Sequence, residues 1–222
     1  MSFCKLLREK SHDVWEDCYR HPFVQELGQG ILAKEKFQFY LIQDYKYLLE
    51  YAKVFALGAI KAKDEKLMTS FTLCQCSILQ HEMSLHREYM TKYDISSKDA
   101  ECSKTALFNS AYTANMLTVG ERAGALEILA VILPCAWSYY DFASRLKEEY
   151  KEKVADNYYK SWLDMYTGKE YFASFSWMFD TLDELAAGKT KTELDDIQNI
   201  FQSSVEFEYL FWDMAYKQQV SF

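Results

Sequence analysis

The sequence predicts an all-α protein: a layered multi-helix bundle of roughly eight helices. Two observations carry that expectation. The chain of 222 residues holds only 7 glycines and 2 prolines, and so few breakers leave long helices and few tight turns. No stretch alternates apolar and polar residues with period two for long enough to argue for a sheet.

The elements follow in chain order. Phe3, Leu6, Leu7, Val14, Trp15 and Cys18 have broadly helical spacing, so residues 3–19 read as helical. HPFVQELGQG at 21–30 has one proline and two glycines and reads as a bend or short helix. Long helices are expected over about 34–63 and 65–93, with a polar connector at 96–105 that holds at most a short helical turn. Helix 108–119 follows, then a very apolar helix over 123–149 interrupted by Pro134. Helices at 154–167 and 170–187 end near Gly168 and Gly188, placed as C-terminal caps. Thr190 and Glu193 have capping-box spacing and open the last helix, 191–217. Several of these helices are apolar on most faces, which suits a layered bundle with central helices covered on many sides. No linker or repeat is visible, so residues 1–222 are expected to form one domain.

Composition limits the function. Half of the residues are apolar and 26% are charged, enough to bury a core without disulfides. The net charge of -8 comes without a basic run, which excludes nucleic acid and anionic membranes as expected partners. The six cysteines form no C-x-x-C pair, so zinc has little support. The first eighteen residues are charged throughout and resemble no signal peptide. The apolar run 128–137 is too short to span a bilayer. A reducing, cytoplasmic setting with free thiols is expected. Seventeen tyrosines suit either an aromatic core or the wall of a pocket for a flat polar ligand.

Three polar groups break apolar patterns. Asp44 shares a helical face with Phe37, Tyr40, Leu41, Tyr47, Leu48 and Tyr51. A carboxylate there needs a partner. A Lys or Arg from another helix, a tilt toward solvent, or a ligand amine would each serve. Glu208 shares a face with Val205, Phe211, Trp212 and Ala215, while Glu206 falls elsewhere. Burial raises a carboxyl pKa, which suits acid/base work near neutral pH; a structural hydrogen bond to a tyrosine is the plainer alternative. Cys135 lies behind Pro134 in an apolar helix, where free cysteines are usually small apolar fillers. Two features point further: a proline in a helix interior kinks it, and Tyr139 lies one turn on, so its hydroxyl can reach the sulfur. A hydrogen-bond donor raises the thiolate fraction of a thiol whose free pKa is about 8.5. On spacing alone the filler reading stays ahead.

HPFVQELGQG at 21–30, QDYKYLLEYAKVFALG at 43–58, EMSLHREY at 82–89, AYTANML at 111–117, EILAVILPCAWSYY at 127–140 and EYLFWDMAY at 208–216 together resemble the TenA family, the thiaminase II or aminopyrimidine aminohydrolases, over almost the whole chain. The resemblance implies a haem-oxygenase-like helical fold without haem, and a homotetramer. It implies a hydrolase of the thiamin pathway, which cleaves 4-amino-5-aminomethyl-2-methylpyrimidine to the hydroxymethylpyrimidine and ammonia, and also thiamin to the same pyrimidine and the thiazole alcohol. By the same resemblance Cys135 is the nucleophile and Glu208 the acid/base. Asp44 binds the pyrimidine, Tyr47 contacts the ring, and Tyr112 and Tyr139 place hydroxyls near thiol and substrate. Tyr166 is a pocket tyrosine and Phe211 packs on the ring. All these side chains should meet in one cavity, with no metal or organic cofactor.

Two rivals stand beside this reading. Glu82 and His86 share a helical face and could ligate iron, making a non-haem iron oxygenase; His81 and His86 diverge by about 140° at 100° per residue. A non-catalytic pyrimidine-binding or regulatory protein would bind ligand without releasing ammonia.

Overall fold

The computed structural model describes residues 2–221; residues 1 and 222, the ends of the expected domain, lie outside the described residues. It is all-α, with no strand among the described residues. The helices are α1 (Phe3–Lys10), α2 (His12–Arg20), α3 (Pro22–Gln29), α4 (Lys34–Lys61), α5 (Glu65–Ser77), α6 (Met83–Lys92), α7 (Ser97–Cys102), α8 (Leu107–Arg122), α9 (Ala125–Glu149), α10 (Lys160–Tyr166), α11 (Lys169–Ala186) and α12 (Lys191–Lys217). A π-helical segment, Ile78–Glu82, joins α5 to α6, and a 3-10 turn, Val154–Asp156, precedes α10.

Among the described residues twelve α-helices replace the roughly eight expected: 3–19 and 65–93 are each divided in two, and 21–30 and the connector 96–105 each hold a short helix, α3 and α7, while 154–167 is divided into a 3-10 turn and α10. Residues 3–19 break at Ser11, whose hydroxyl accepts a hydrogen bond from the Gln198 side chain at 3.0 Å. Residues 65–93 are divided by the π segment. Residues 154–167 break at Asn157, whose backbone is extended. Its Nδ2 donates to the carbonyls of Leu27 (3.1 Å) and Gly28 (2.8 Å), and its Oδ1 accepts from the Tyr159 N–H at 2.7 Å. That side chain satisfies the end of α3 and the start of α10 together, which continued helix would forbid.

Two other expectations are corrected. Pro134 does not interrupt its helix: α9 runs unbroken through it. The proline forfeits one bond, to the Ala130 carbonyl, and residues 128–136 are all buried, so packing holds the turn. Gly168 is not a left-handed cap. It has φ -65° and opens α11, whereas Gly188 does take the left-handed conformation, φ 79°. α9 meets the length and composition of a membrane span, though the run 128–137 alone does not. Of its most apolar window, 67% is buried inside the protein.

The chain packs as two compact units, Met1–Leu32 with Leu129–Asp213, and Ala33–Ile128 with Met214–Phe222. The first unit has an aromatic core about Trp15, which stacks on Phe201 at 6.5 Å and meets Phe142 edge-on at 5.7 Å. Its indole N–H donates to Asp141 at 2.8 Å, so the ring is buried without an orphaned donor. Beside it Arg145 grips Glu16 through both terminal nitrogens, at 2.9 and 2.8 Å. The second unit is built on α4. A side chain at Gly58 would lie 2.5 Å from the Phe71 ring, so glycine there permits the close approach of α5.

Candidate active site

In the second unit the face of α4 drawn from sequence is buried in full: Phe37, Tyr40, Leu41, Asp44, Tyr47, Leu48 and Tyr51. Asp44 is 4% exposed and keeps its place among the aromatics because two donors meet its Oδ2. Tyr40 OH lies at 3.2 Å and His86 Nε2 at 2.6 Å. The partner is therefore a histidine of α6 rather than a Lys or Arg, and Asp44 does not tilt to solvent. Burial works against the charged form of His86. The hydrogen bond and charge of Asp44, with Glu82 behind them, outweigh burial and raise its pKa. The Glu82 carboxyl is pushed up to about 7, chiefly by desolvation, with Asp44 adding to the rise and His86 opposing it.

The neighbouring Gln43 anchors α8. Its Oε1 accepts from the Ala106 N–H (2.9 Å) and from Asn109 Nδ2 (3.2 Å), and its backbone carbonyl takes a second bond from Asn109 at 2.8 Å. That clamp lies three residues before Tyr112. Tyr112 and Tyr47 are both buried, their rings 5.1 Å apart, and Tyr47 OH reaches Met116 Sδ at 3.6 Å.

The first unit carries the other five candidates. Cys135 is 9% exposed, on the most deeply buried stretch of α9, and Ser138 Oγ donates to its carbonyl at 3.1 Å. Tyr139, one turn on, packs against Tyr166 (4.8 Å), Trp212 (5.0 Å) and Trp162 (5.7 Å). Glu208 on α12 is 2% exposed, with Val205, Phe211, Trp212 and Ala215 buried on the same face and Glu206 exposed. Phe211 meets Trp212 edge-on at 6.4 Å. Ser204 Oγ donates to the Val131 carbonyl at 2.6 Å. That bond ties α12 to α9 one turn before Glu208 on the one and Cys135 on the other.

Sequence reasoning missed two groups. Cys18 is a buried thiol whose pKa is driven well above the ordinary value by burial first and then by the charge of Glu208, so it is a carboxylate neighbour held protonated. The second is the tie from His86 to Asp44. No signal in the sequence marked it: Leu79 and Met83 are four apart, so the apolar pattern continues at α-helical spacing through the segment that turns the register. As for a metal, His81 is exposed while His86 is buried. Among the described residues no group of three or more His, Cys, Asp or Glu could hold one.

A family model described as the TENA/THI-4/PQQC family matches residues 8–218. A Helicobacter pylori protein named aminopyrimidine aminohydrolase is 40% identical over 217 residues, covering 98% of this chain and 100% of the relative. The solved structure of a TenA homologue from P. horikoshii OT3 superposes with a TM-score of 0.88 at 29% identity, covering 98% of this chain and 99% of the other. A domain from Shewanella denitrificans described as having a heme oxygenase-like fold aligns at a TM-score of 0.76 and 15% identity, over 96% and 92% of the two chains. That likeness shows the haem-oxygenase-like fold. On the match along almost its whole length, this chain belongs to the TENA/THI-4/PQQC family.

Proposed function

We propose that the protein is an aminopyrimidine aminohydrolase of the thiamin pathway, converting 4-amino-5-aminomethyl-2-methylpyrimidine and water to the hydroxymethylpyrimidine and ammonia. The whole-length likeness to the Helicobacter pylori aminopyrimidine aminohydrolase supports the substrate class. One observation within the molecule carries the reading: a thiol, Cys135, and two carboxyl groups, Glu208 and Asp44, are buried on faces otherwise given to aromatic and aliphatic side chains. The two carboxyl groups are costly to bury, and pyrimidine chemistry needs them together with a thiol.

The exocyclic amine cannot leave readily from a neutral aromatic ring. In the proposed sequence the Cys135 thiolate adds to a ring carbon, and the displaced electron pair goes to a ring nitrogen that Glu208 protonates. The dearomatised ring then expels the amine, which enters the step as an ammonium group and leaves as ammonia. Water adds its oxygen to the methylene carbon and returns its proton to Glu208. Loss of the thiolate, with release of the ring nitrogen's proton to solvent, restores the aromatic ring. Asp44 accepts hydrogen bonds from the ring's amine, Tyr47 and Phe211 pack on the ring, and the hydroxyls of Tyr112, Tyr139 and Tyr166 hold thiol and substrate. Thiamin presents the same pyrimidine with a thiazolium leaving group, so it is the second substrate. The chain works as a homotetramer, which light scattering of the purified protein tests.

The direct test incubates the protein with the aminomethyl pyrimidine and follows ammonia and the hydroxymethyl product. Equal amounts of both support the proposal. Binding without ammonia release would favour a non-catalytic pyrimidine-binding protein. The ratio of kcat/KM for the aminomethyl pyrimidine and thiamin then ranks the two substrates.

A further inference from the structure

Along α5 and into the π segment the buried residues are Leu67, Phe71, Cys74 and Ile78, in steps of four, three and four. Continued at α-helical spacing, the next buried positions would be 81 or 82, then 85 and 89. The buried residues are instead Met83, His86 and Met90, each about one position late. The π segment accounts for the delay. Its i→i+5 bonds take one more residue per turn than α-helical bonds, and one extra residue rotates everything beyond it by about 100°.

The rotation reverses the ordinary order of burial. Leu85 is left 38% exposed and His86 is buried to 1%. Transfer free energies favour the opposite choice, since burying leucine is favourable and burying an imidazole needs hydrogen-bond compensation. What the displaced register supplies is a short bond, His86 Nε2 to Asp44 Oδ2 at 2.6 Å. Tyr40 OH reaches the same oxygen, so both donors act at one side of the carboxylate. Insertions of π type recur at functional sites, and this one ends four residues before the histidine it turns inward.

We propose that His86 is a positioning residue for Asp44: the π insertion brings its Nε2 onto Oδ2, which holds the carboxyl group oriented and leaves Oδ1 to accept from the amine of an aminopyrimidine. The inference rests on the reading of Asp44 as the pyrimidine-binding carboxylate. The raised pKa of His86 agrees with an imidazolium donor. A fixed acceptor meets the substrate without having to be oriented at the moment of binding.

The test compares His86→Leu, His86→Gln and Asp44→Asn in two measurements: steady-state kinetics with the aminomethyl pyrimidine, and calorimetric binding of the hydroxymethyl product. For His86→Leu we expect KM and Kd to rise about tenfold to a hundredfold, the loss of one or two charge-assisted hydrogen bonds, with kcat changed by less than about threefold. His86→Gln keeps a side-chain N–H that can donate to Asp44 and is expected to recover most of the affinity. If His86→Leu does not fold, His86→Asn replaces it, since the shorter amide cannot span the distance; Asn as weak as expected for Leu, with Gln near wild type, supports the proposal. Wild-type KM and Kd in a folded His86→Leu or His86→Asn protein would overturn it. So would equal loss in Gln and Leu. Asp44→Asn separates the two levels. If it leaves Kd unchanged, the reading of Asp44 itself fails. If it weakens binding while His86→Leu does not, only the role of His86 fails.

Discussion

Asp44→Asn should destabilise the fold in a way that depends on pH, and the magnitude follows from the pair it breaks. Both partners are almost fully buried, and Nε2 lies 2.6 Å from Oδ2. Removing one member of a buried pair typically costs about 3–5 kcal/mol. Asparagine keeps an acceptor, so the loss is nearer the worth of a charge-assisted hydrogen bond, about 2 kcal/mol. The sign comes from His86. Its folded pKa is raised above the ordinary value, so its contribution is fully present below about pH 6.5 and is lost as pH rises through the raised value. Without the carboxylate, burial acts with much less opposition and disfavours the imidazolium. The penalty is therefore largest near pH 5.5, about 2 kcal/mol, and falls to about 1 kcal/mol or less near pH 9. For a chain of this length that is a fall in Tm of about 4–8 °C at the lower pH. The measurement is urea unfolding at both pH values in a Glu82→Gln background, which removes the neighbouring carboxyl that titrates near 7. A penalty equal at the two pH values, or one below about 0.5 kcal/mol at pH 5.5, would show that the His86–Asp44 pair does not carry this stability.

Glu82→Gln alone should act in the alkaline range. Desolvation pushes the Glu82 carboxyl up to about 7, so wild-type stability falls as pH rises from about 4.5 through 7. At pH 8 the variant should be more stable by about 1–2 kcal/mol, allowing for partial exposure, and at pH 4 the two should be alike; thermal melts at both values check this. Asn157→Ala removes the donor to the Leu27 and Gly28 carbonyls and the acceptor for the Tyr159 N–H. It should cost about 3 kcal/mol, and an equilibrium loss below about 1 kcal/mol would count against the role of that side chain. Glu208→Gln should lower kcat strongly with a smaller change in KM. A pH–rate profile identical to wild type would remove Glu208 from proton transfer.

Most of the helical framework was legible because its signals are local. The bounds of α4 and α12 fall within two residues of those expected, since each carries a continuous apolar face, and α12 also has the capping box at Thr190 and Glu193. The breaks at Ser11 and Asn157 were not legible because their causes are remote. Gln198 lies 187 residues from Ser11, and the carbonyls that Asn157 caps lie 130 and 129 residues away. The π segment was not legible either, since Leu79 lies four residues before Met83 and carries an α-helical apolar pattern straight through it. The candidate site divided in the same way. Asp44, Cys135 and Glu208 stood out because a polar group on an apolar stripe is a local anomaly, while their roles came from resemblance. The partner of Asp44, 42 residues on, belonged to a pair whose shared helical face suggested iron, and only the π register turned that histidine toward α4.

Attack of the Cys135 thiol on the pyrimidine is open to direct test with Cys135→Ser. The variant changes one buried atom on α9 and leaves Glu208 and Asp44 in place, so binding and chemistry can be read separately. Calorimetric titration with the hydroxymethyl product, followed by a timed ammonia assay with the aminomethyl pyrimidine, gives both quantities. A Kd within about threefold of wild type and ammonia release reduced by at least about a thousandfold are expected. Ammonia release at the wild-type rate from a protein that still binds the pyrimidine would contradict attack by this thiol.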